Sequence, residues 1–200
     1  MASGPRYSLP FRRRREGRTD YKLRRGLIIS GRPRAVVRLS NDHVYVQISE
    51  AQPHGDVVKA SASSKELSKL GWQGGTGNLP SAYLTALLAG KRAQANGVKD
   101  AILDIGLRSM SKGSKVSAAL KGLADSGLTI PHSTEVLPDK ARLSGGHIAG
   151  YAKILAQKSN EEYKRKFSLY IARGMKPEDL TGHFDQVAAR IQQTASGEKK

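Results

Sequence analysis

The feature that most restricts how this chain folds is a cationic run near its N terminus. Arg12, Arg13, Arg14 and Arg15 are followed by Arg18, Lys22, Arg24 and Arg25. Each of these charges must be paired or left in water, so the segment cannot supply a hydrophobic core and the fold must be built from the residues C-terminal to it. Residues 1–40 hold 12 basic and 2 acidic side chains, and residues 41–200 hold 22 and 15. One fifth of the length therefore carries +10 of a formal net charge of +17. The cations also differ in kind: the first 40 residues have 11 Arg and only Lys22, whereas the remainder has 6 Arg and 16 Lys. A guanidinium pairs phosphates through two parallel hydrogen bonds and stacks on bases, which a lysine ammonium does not do.

With Phe11, Gly17 and Tyr21 interleaved, the segment reads as an extended basic arm, residues 1–34, that lies along a phosphate backbone and releases counterions. Tyr21 or an Arg plane is placed to stack on an unpaired base. The bland alternative is a solubilising or import tail. A membrane is a poorer partner than nucleic acid, because no apolar run approaches the roughly 20 residues needed to span a bilayer and no amphipathic basic helix dominates. The chain has no cysteine, which excludes disulfides, thiolate catalysis and cysteine zinc sites and suits a reducing, cytoplasmic setting. Met1 to Arg25 also lacks the apolar stretch of a secretory signal.

From Ala35 the pattern becomes period-two. Val36, Val37 and Leu39, then Val44, Val46 and Ile48, flank a turn at Ser40 to His43, which reads as a β-hairpin. A third strand is expected around Val57 to Ala60, after the turn at Pro53 to Asp56. The GWQGGTGN loop, Gly71 to Asn78, leads to Pro80, a good first-turn helix residue, and to a Leu84, Leu87, Leu88 stripe ending near Gly97. Ala101 to Ile105 reads as a buried strand. Ser114 then caps a helix whose Val116, Ala119, Leu120 and Leu123 share one face. The order β-β-β-α-β-α defines a small mixed sheet with helices packed on it, over residues 35–130, and 38% hydrophobic residues suffice for one modest core. Residues 131–200 read as a helical extension: Ile148 to Gln157, then Tyr163, Phe167, Tyr170 and Ile171, then Leu180, Phe184, Val187 and Ile191 behind a start signal at Pro177 to Asp179. These stripes are expected to pack on the first domain or on another macromolecule, and the tail from Ala195 to Lys200 to be loose.

Alternation puts Arg38, Tyr45 and Gln47 on the polar face of the hairpin, where with His43 they either meet RNA or, for Tyr45 and His43, serve as packing and turn residues. The MSKGSK loop sets Lys112, Ser114 and Lys115 at a helix start, a plausible second phosphate contact or an ordinary loop. Neither it nor GWQGGTGN meets the G-x-x-x-x-G-K-S/T pattern of a nucleotide loop. Nothing in the chain calls for catalysis, a metal or a cofactor. A nuclease of ribonuclease H type would need several carboxylates converging on divalent metals. The first strand instead carries Arg38, and Asp104 has no partners at comparable positions, so a structural or surface role fits it better. His43, His54, His132, His147 and His183 lack metal spacing. That nuclease and a general nucleic-acid-binding protein of chromatin type are the competing readings.

The blocks RRRREGRTDYKLRRGLIISGRPRAVVRLSNDHVYVQI, GWQGGTGNLPSAYLTALLAGKRA, AILDIGL, GSKVSAALKGLADSGLTIPHS and RLSGGHIAGYA closely resemble, in this order, the archaeal form of large-subunit ribosomal protein eighteen. The resemblance is spread over most of residues 6–185. It implies an α/β core resting on 5S rRNA in the central protuberance of the ribosome, beside ribosomal protein five and other large-subunit proteins. It further implies RNA contacts at Arg12, Arg13, Arg14, Arg15, Arg18, Tyr21, Lys22, Arg24, Arg25, Arg32, Arg34 and Arg38, with His43, Tyr45 and Gln47 on the adjoining sheet. The extension after Pro131 then reaches 23S rRNA and protein neighbours.

Overall fold

Charge repulsion alone would hold the arm extended, but two stretches of it are helical. In a computed structural model, which describes residues 4–197, Arg12–Arg15 form a single turn, α1, and Tyr21–Ile29 form α2. Asp20 nucleates α2: its carboxylate accepts hydrogen bonds from the backbone N–H groups of Lys22 and Leu23, satisfying donors that have no partner inside the helix. The arm therefore departs from an extended chain where a local cap offsets the repulsion.

Four strands come next: β1 (Arg34–Leu39), β2 (Val44–Gln52), β3 (Gly55–Ser63) and β4 (Ile102–Asp104). They assemble in the order β3-β2-β1-β4. β1, β2 and β3 are antiparallel neighbours, and β4 joins β1 in parallel. Ser40 closes the first hairpin, its Oγ accepting from the His43 amide and its own N–H donating to the His43 carbonyl. β3 starts earlier and ends later than its apolar residues suggest, because it pairs with β2 from Gln52 back to Tyr45 across a bulge at Ile48/Ser49. β4 is shorter than the AILDI run, since only Arg34, Ala35 and Val36 of β1 are opposite it.

The helices α3 (Leu79–Ala95) and α4 (Lys115–Asp125) cover one face of the sheet. Val44, Val46 and Ile48 of β2 and Ala35 and Val37 of β1 are buried beneath them with Leu84, Leu87, Leu120 and Leu123. Asn78 caps α3 and Ser114 caps α4, each side chain accepting a backbone N–H three residues on. The two helices meet at Gly122, where a Cβ would lie 2.3 Å from the Tyr83 carbonyl oxygen. Only glycine permits that approach.

The extension consists of α5 (Lys140–Leu143), α6 (Gly146–Lys158), α7 (Asn160–Lys166), α8 (Ser168–Ala172) and α9 (Leu180–Gly197). The Tyr163-to-Ile171 stripe is two helices broken at Phe167, not one. Pro177–Asp179 form a single 3-10 turn before α9. Leu180, Phe184, Val187 and Ile191 of α9 enter the same buried cluster as the sheet and pack on α3. Of the expected loose tail, Ala195 to Gly197 are helical, and its last three residues lie outside the described ones.

Candidate nucleic-acid interface

Among the described residues, no helix is packed flat on the face of the sheet away from α3 and α4. Alternation along β1 sends Arg34, Val36 and Arg38 to this side, and along β2 it sends Tyr45, Gln47 and Ser49. Tyr45 is 44% exposed. Gln47 is exposed, and its amide has no side-chain partner among the described residues. His43, half-buried, stands edge-on to Tyr45 with ring centroids 6.3 Å apart, and its Nδ1 lies 3.4 Å from Ser64 Oγ.

Helix α2 stands beside this face and is tied to it by Arg24, whose Nη2 lies 3.2 Å from Asp56 Oδ2 on β3. Between them lies an open cleft of about 430 Å³. Leu23 and Leu27 of α2, Val36 and Val58 of the sheet, and Gln47 line it, and Arg13, Arg18 and Arg108 add cations. Arg108 escaped the sequence reading. It holds its place by donating to the Leu39 carbonyl at 2.9 Å, a contact across 69 residues that no local pattern announces.

Asp104 organises one end of the cleft. Its Oδ2 is 3.3 Å from Arg34 Nη1 and its Oδ1 2.9 Å from Arg38 Nη2, while Arg38 Nη1 donates to its backbone carbonyl at 2.8 Å. The Gly106 N–H donates to the same Oδ1 at 3.0 Å. This carboxylate is thus fully occupied by two cations and an amide, the structural one of the two roles, structural or surface, expected of it.

Arg34 needs correcting as a nucleic-acid contact. It is only 2% exposed and is ion-paired to both Asp56 and Asp104. Its charge is neutralised inside the protein, so it holds the sheet face together and does not project from it. Its Nε has no hydrogen-bond acceptor among the described residues.

The other arm residues fall into two groups. Arg12 and Arg18 pair with Glu16, Arg13 donates to Thr19 Oγ1 at 2.9 Å, and Arg32 pairs with Asp100 at 3.7 Å. All four remain exposed, as does Arg24. Arg14, Arg15, Lys22 and Arg25 are exposed with no side-chain partner among the described residues. Tyr21 is half-buried against Phe11, with centroids 5.1 Å apart.

Around the MSKGSK loop, Lys112 is exposed, but its neighbours are engaged. Ser114 Oγ accepts from the Ser117 amide, and Lys115 Nζ donates to the Gly77 carbonyl at 3.0 Å. The GWQGGTGN loop is the seat of the extension. Arg173 donates to the Gly74 carbonyl at 2.7 Å, Tyr170 Oη accepts from the Gly75 amide at 3.2 Å, and His183 Nε2 accepts from the Gln73 amide at 3.1 Å. The His183 ring stacks on Trp72 at 5.2 Å. Burial, and then the nearby Arg190, push the His183 imidazole below its usual pKa, which keeps Nε2 an acceptor.

A charged helical arm beside an open, half-aromatic sheet face is the build of a protein that works by surface contact. Comparison with known proteins identifies the kind. The family described as "Ribosomal large subunit proteins 60S L5, and 50S L18" matches residues 5–99 and 93–133. The chain is 52% identical over 192 residues to the large ribosomal subunit protein uL18 of Caldivirga maquilingensis, covering 96% of this chain and 93% of that protein. It is 51% identical over 191 residues to the large ribosomal subunit protein uL18 of Methanothermobacter thermautotrophicus, covering 96% and 98%. The chain belongs to this family of large-subunit ribosomal proteins, whose members are structural constituents of the ribosome and not enzymes.

Proposed function

We propose that the protein binds 5S rRNA with its arm and open sheet face and anchors it in the central protuberance of the large subunit, in the cytoplasm. The observation that carries this reading is that Arg14, Arg15, Lys22 and Arg25 are exposed and unpaired among the described residues, on an arm whose second helix is tied through Arg24 to a sheet that presents Tyr45 and Gln47. Cations that the protein does not neutralise are available to phosphates, and phosphate contacts supply orientation and most of the affinity. An exposed aromatic ring and an amide on a sheet suit unpaired bases. Lys112 adds an exposed cation, while Ser114 is engaged with the Ser117 amide and Lys115 with the Gly77 carbonyl.

The extension is the part that meets 23S rRNA and protein neighbours, ribosomal protein five among them. Its outer face carries exposed Tyr151 and Ile154 beside Lys153 and Lys158 on α6. Lys166 of α7 donates to Tyr151 Oη at 2.6 Å and lies over the ring. A cationic surface with an aromatic ring at its centre fits a second nucleic-acid contact.

An electrophoretic shift titration against 5S rRNA, with tRNA and duplex DNA as competitors at physiological salt, tests the assignment. Selective retention of 5S rRNA is expected. Equal competition by all three would reduce the protein to a general nucleic-acid binder and overturn the reading.

A further inference from the structure

We propose that the outer edge of β3 is a pairing surface for the β3 of a second copy of this chain, held shut by Glu66, Arg92 and Asn96. The sheet ends in β4 on one side and in β3 on the other. β4 has three residues, too few to invite another strand, whereas β3 runs for nine. An outer strand of that length offers a row of backbone N–H and C=O groups to any chain that can lie beside it. The run from Val57 to Ser63, VVKASAS, holds no proline and a single charge, Lys59, which is itself paired with Glu50 at 3.2 Å. Val57 and Val58 are exposed, and the groove between β3 and α3, lined by Lys59, Ser61, Arg92 and Asn96, opens to water. Proline and unpaired charge are the usual means of blunting an edge, and this stretch has neither.

Three side chains take their place. Lys59, Ser61 and Ser63 turn backbone groups away from β2, and each meets one of them. The Lys59 carbonyl accepts from Asn96 Nδ2, the Ser61 carbonyl accepts from Arg92 Nη1 at 2.8 Å, and the Ser63 N–H donates to Glu66 Oε1 at 2.9 Å. Arg92 and Asn96 are four residues apart at the C-terminal end of α3 and so share one face of it. Arg92 also pairs with Glu66 Oε2 at 2.8 Å, which joins two of the three caps. Another strand must therefore displace an ion pair as well as three hydrogen bonds. The strand that fits once they are gone is a second β3. Antiparallel pairing about a twofold axis at Ser61 sets Lys59 opposite Ser63 of the other copy, so no like charges meet, and sets the small Ser61 opposite itself. A twofold contact of this kind closes at two chains. The caps thus serve an end separate from RNA binding: they keep the free chain from pairing with its own copies.

The test compares nucleic-acid-free wild-type protein with Arg92→Ala/Asn96→Ala by size exclusion and light scattering over a range of concentrations. Wild type is expected to stay at the mass of one chain. The variant, with the Lys59 and Ser61 carbonyls open, should shift to the mass of two as concentration rises. Adding Ser61→Lys, which places like charges opposite each other at the twofold axis, should return the variant to one chain. Circular dichroism and a thermal melt check that each protein folds. The single variants Arg92→Ala and Asn96→Ala, each opening one carbonyl, carry the same comparison if the double variant does not fold. A folded variant that stays at one chain, a wild-type protein that pairs equally well, or a dimer that Ser61→Lys leaves intact overturns the proposal.

Discussion

Arg38 on β1 clamps Asp104 at the end of β4 twice, through the carboxylate at 2.9 Å and through the backbone carbonyl at 2.8 Å. Arg34, four residues earlier on the same face, takes the other carboxylate oxygen. The parallel pairing of β4 with β1 spans only three residue pairs, so this clamp is what secures a short strand to the sheet.

Removing the shared carboxylate should therefore be severe. Asp104→Ala leaves Arg34 buried with only Asp56 to oppose its charge, and breaking a buried pair from one side costs about 3–5 kcal/mol. Urea denaturation should show that loss, whereas Arg34→Met, which leaves Asp104 paired to Arg38, should cost clearly less. Equal stability of Asp104→Ala and wild type would mean the clamp is incidental.

The unpaired arm cations should behave in the opposite way. Replacing Arg14, Arg15, Lys22 and Arg25 together by Ala disturbs none of the ion pairs among the described residues, so the thermal midpoint should stay where it is. RNA affinity should fall, and the salt dependence of log K should become shallower by roughly 0.7–0.9 for each phosphate that the arm ceases to neutralise. A matching drop in thermal midpoint would place these side chains in the fold.

Gly122→Ala sets a Cβ 2.3 Å from the Tyr83 carbonyl oxygen, against backbone that cannot rotate away. α3 and α4 must separate, at a cost of about 1–3 kcal/mol typical of overpacking. A scanning calorimeter would register this as a lower midpoint. Gly26, on the exposed arm with nothing near its Cβ position, should accept Ala without loss.

His183 makes the docking of α9 sensitive to acid. Its folded pKa is depressed, so the neutral ring is favoured in the native state and its contribution is present above the unfolded value near 6.5. That contribution is lost as pH falls through the folded value, when Nε2 gains a proton and ceases to accept from Gln73. Melting between pH 7.5 and 5 should show falling stability in wild type and a smaller fall in His183→Gln. A residual slope is expected from His147, which burial and then Arg142 also depress. Identical slopes in the two proteins would refute the role of His183.

Local rules carried the reading of the hairpin, of α3 and of α4. A period-two run declares which side chains share a face, and Asn78 and Ser114 satisfy amides only three residues away. Tyr45 and Gln47 could be placed on the open face for the same reason. The arm's cations were legible as charge, but its second helix depended on Asp20, a cap easily missed within a segment dominated by repulsion. The GWQGGTGN loop gave no sign of its partners, because Arg173, Tyr170 and His183 reach it from about 95 to 110 residues away.

What the sequence by itself determined was the division of labour: a cationic arm that cannot be buried, an alternating sheet, and helices with one apolar stripe each. These arise from spacing and charge along the chain, which are properties of neighbours. Only the tertiary structure decided which cations face outward. Arg32, Arg34 and Arg38 look alike in the sequence, yet Arg34 alone is buried, because β4 brings Asp104 from 70 residues away and β3 brings Asp56. A guanidinium enters an interior only where carboxylates meet it, and that meeting is made by strand pairing.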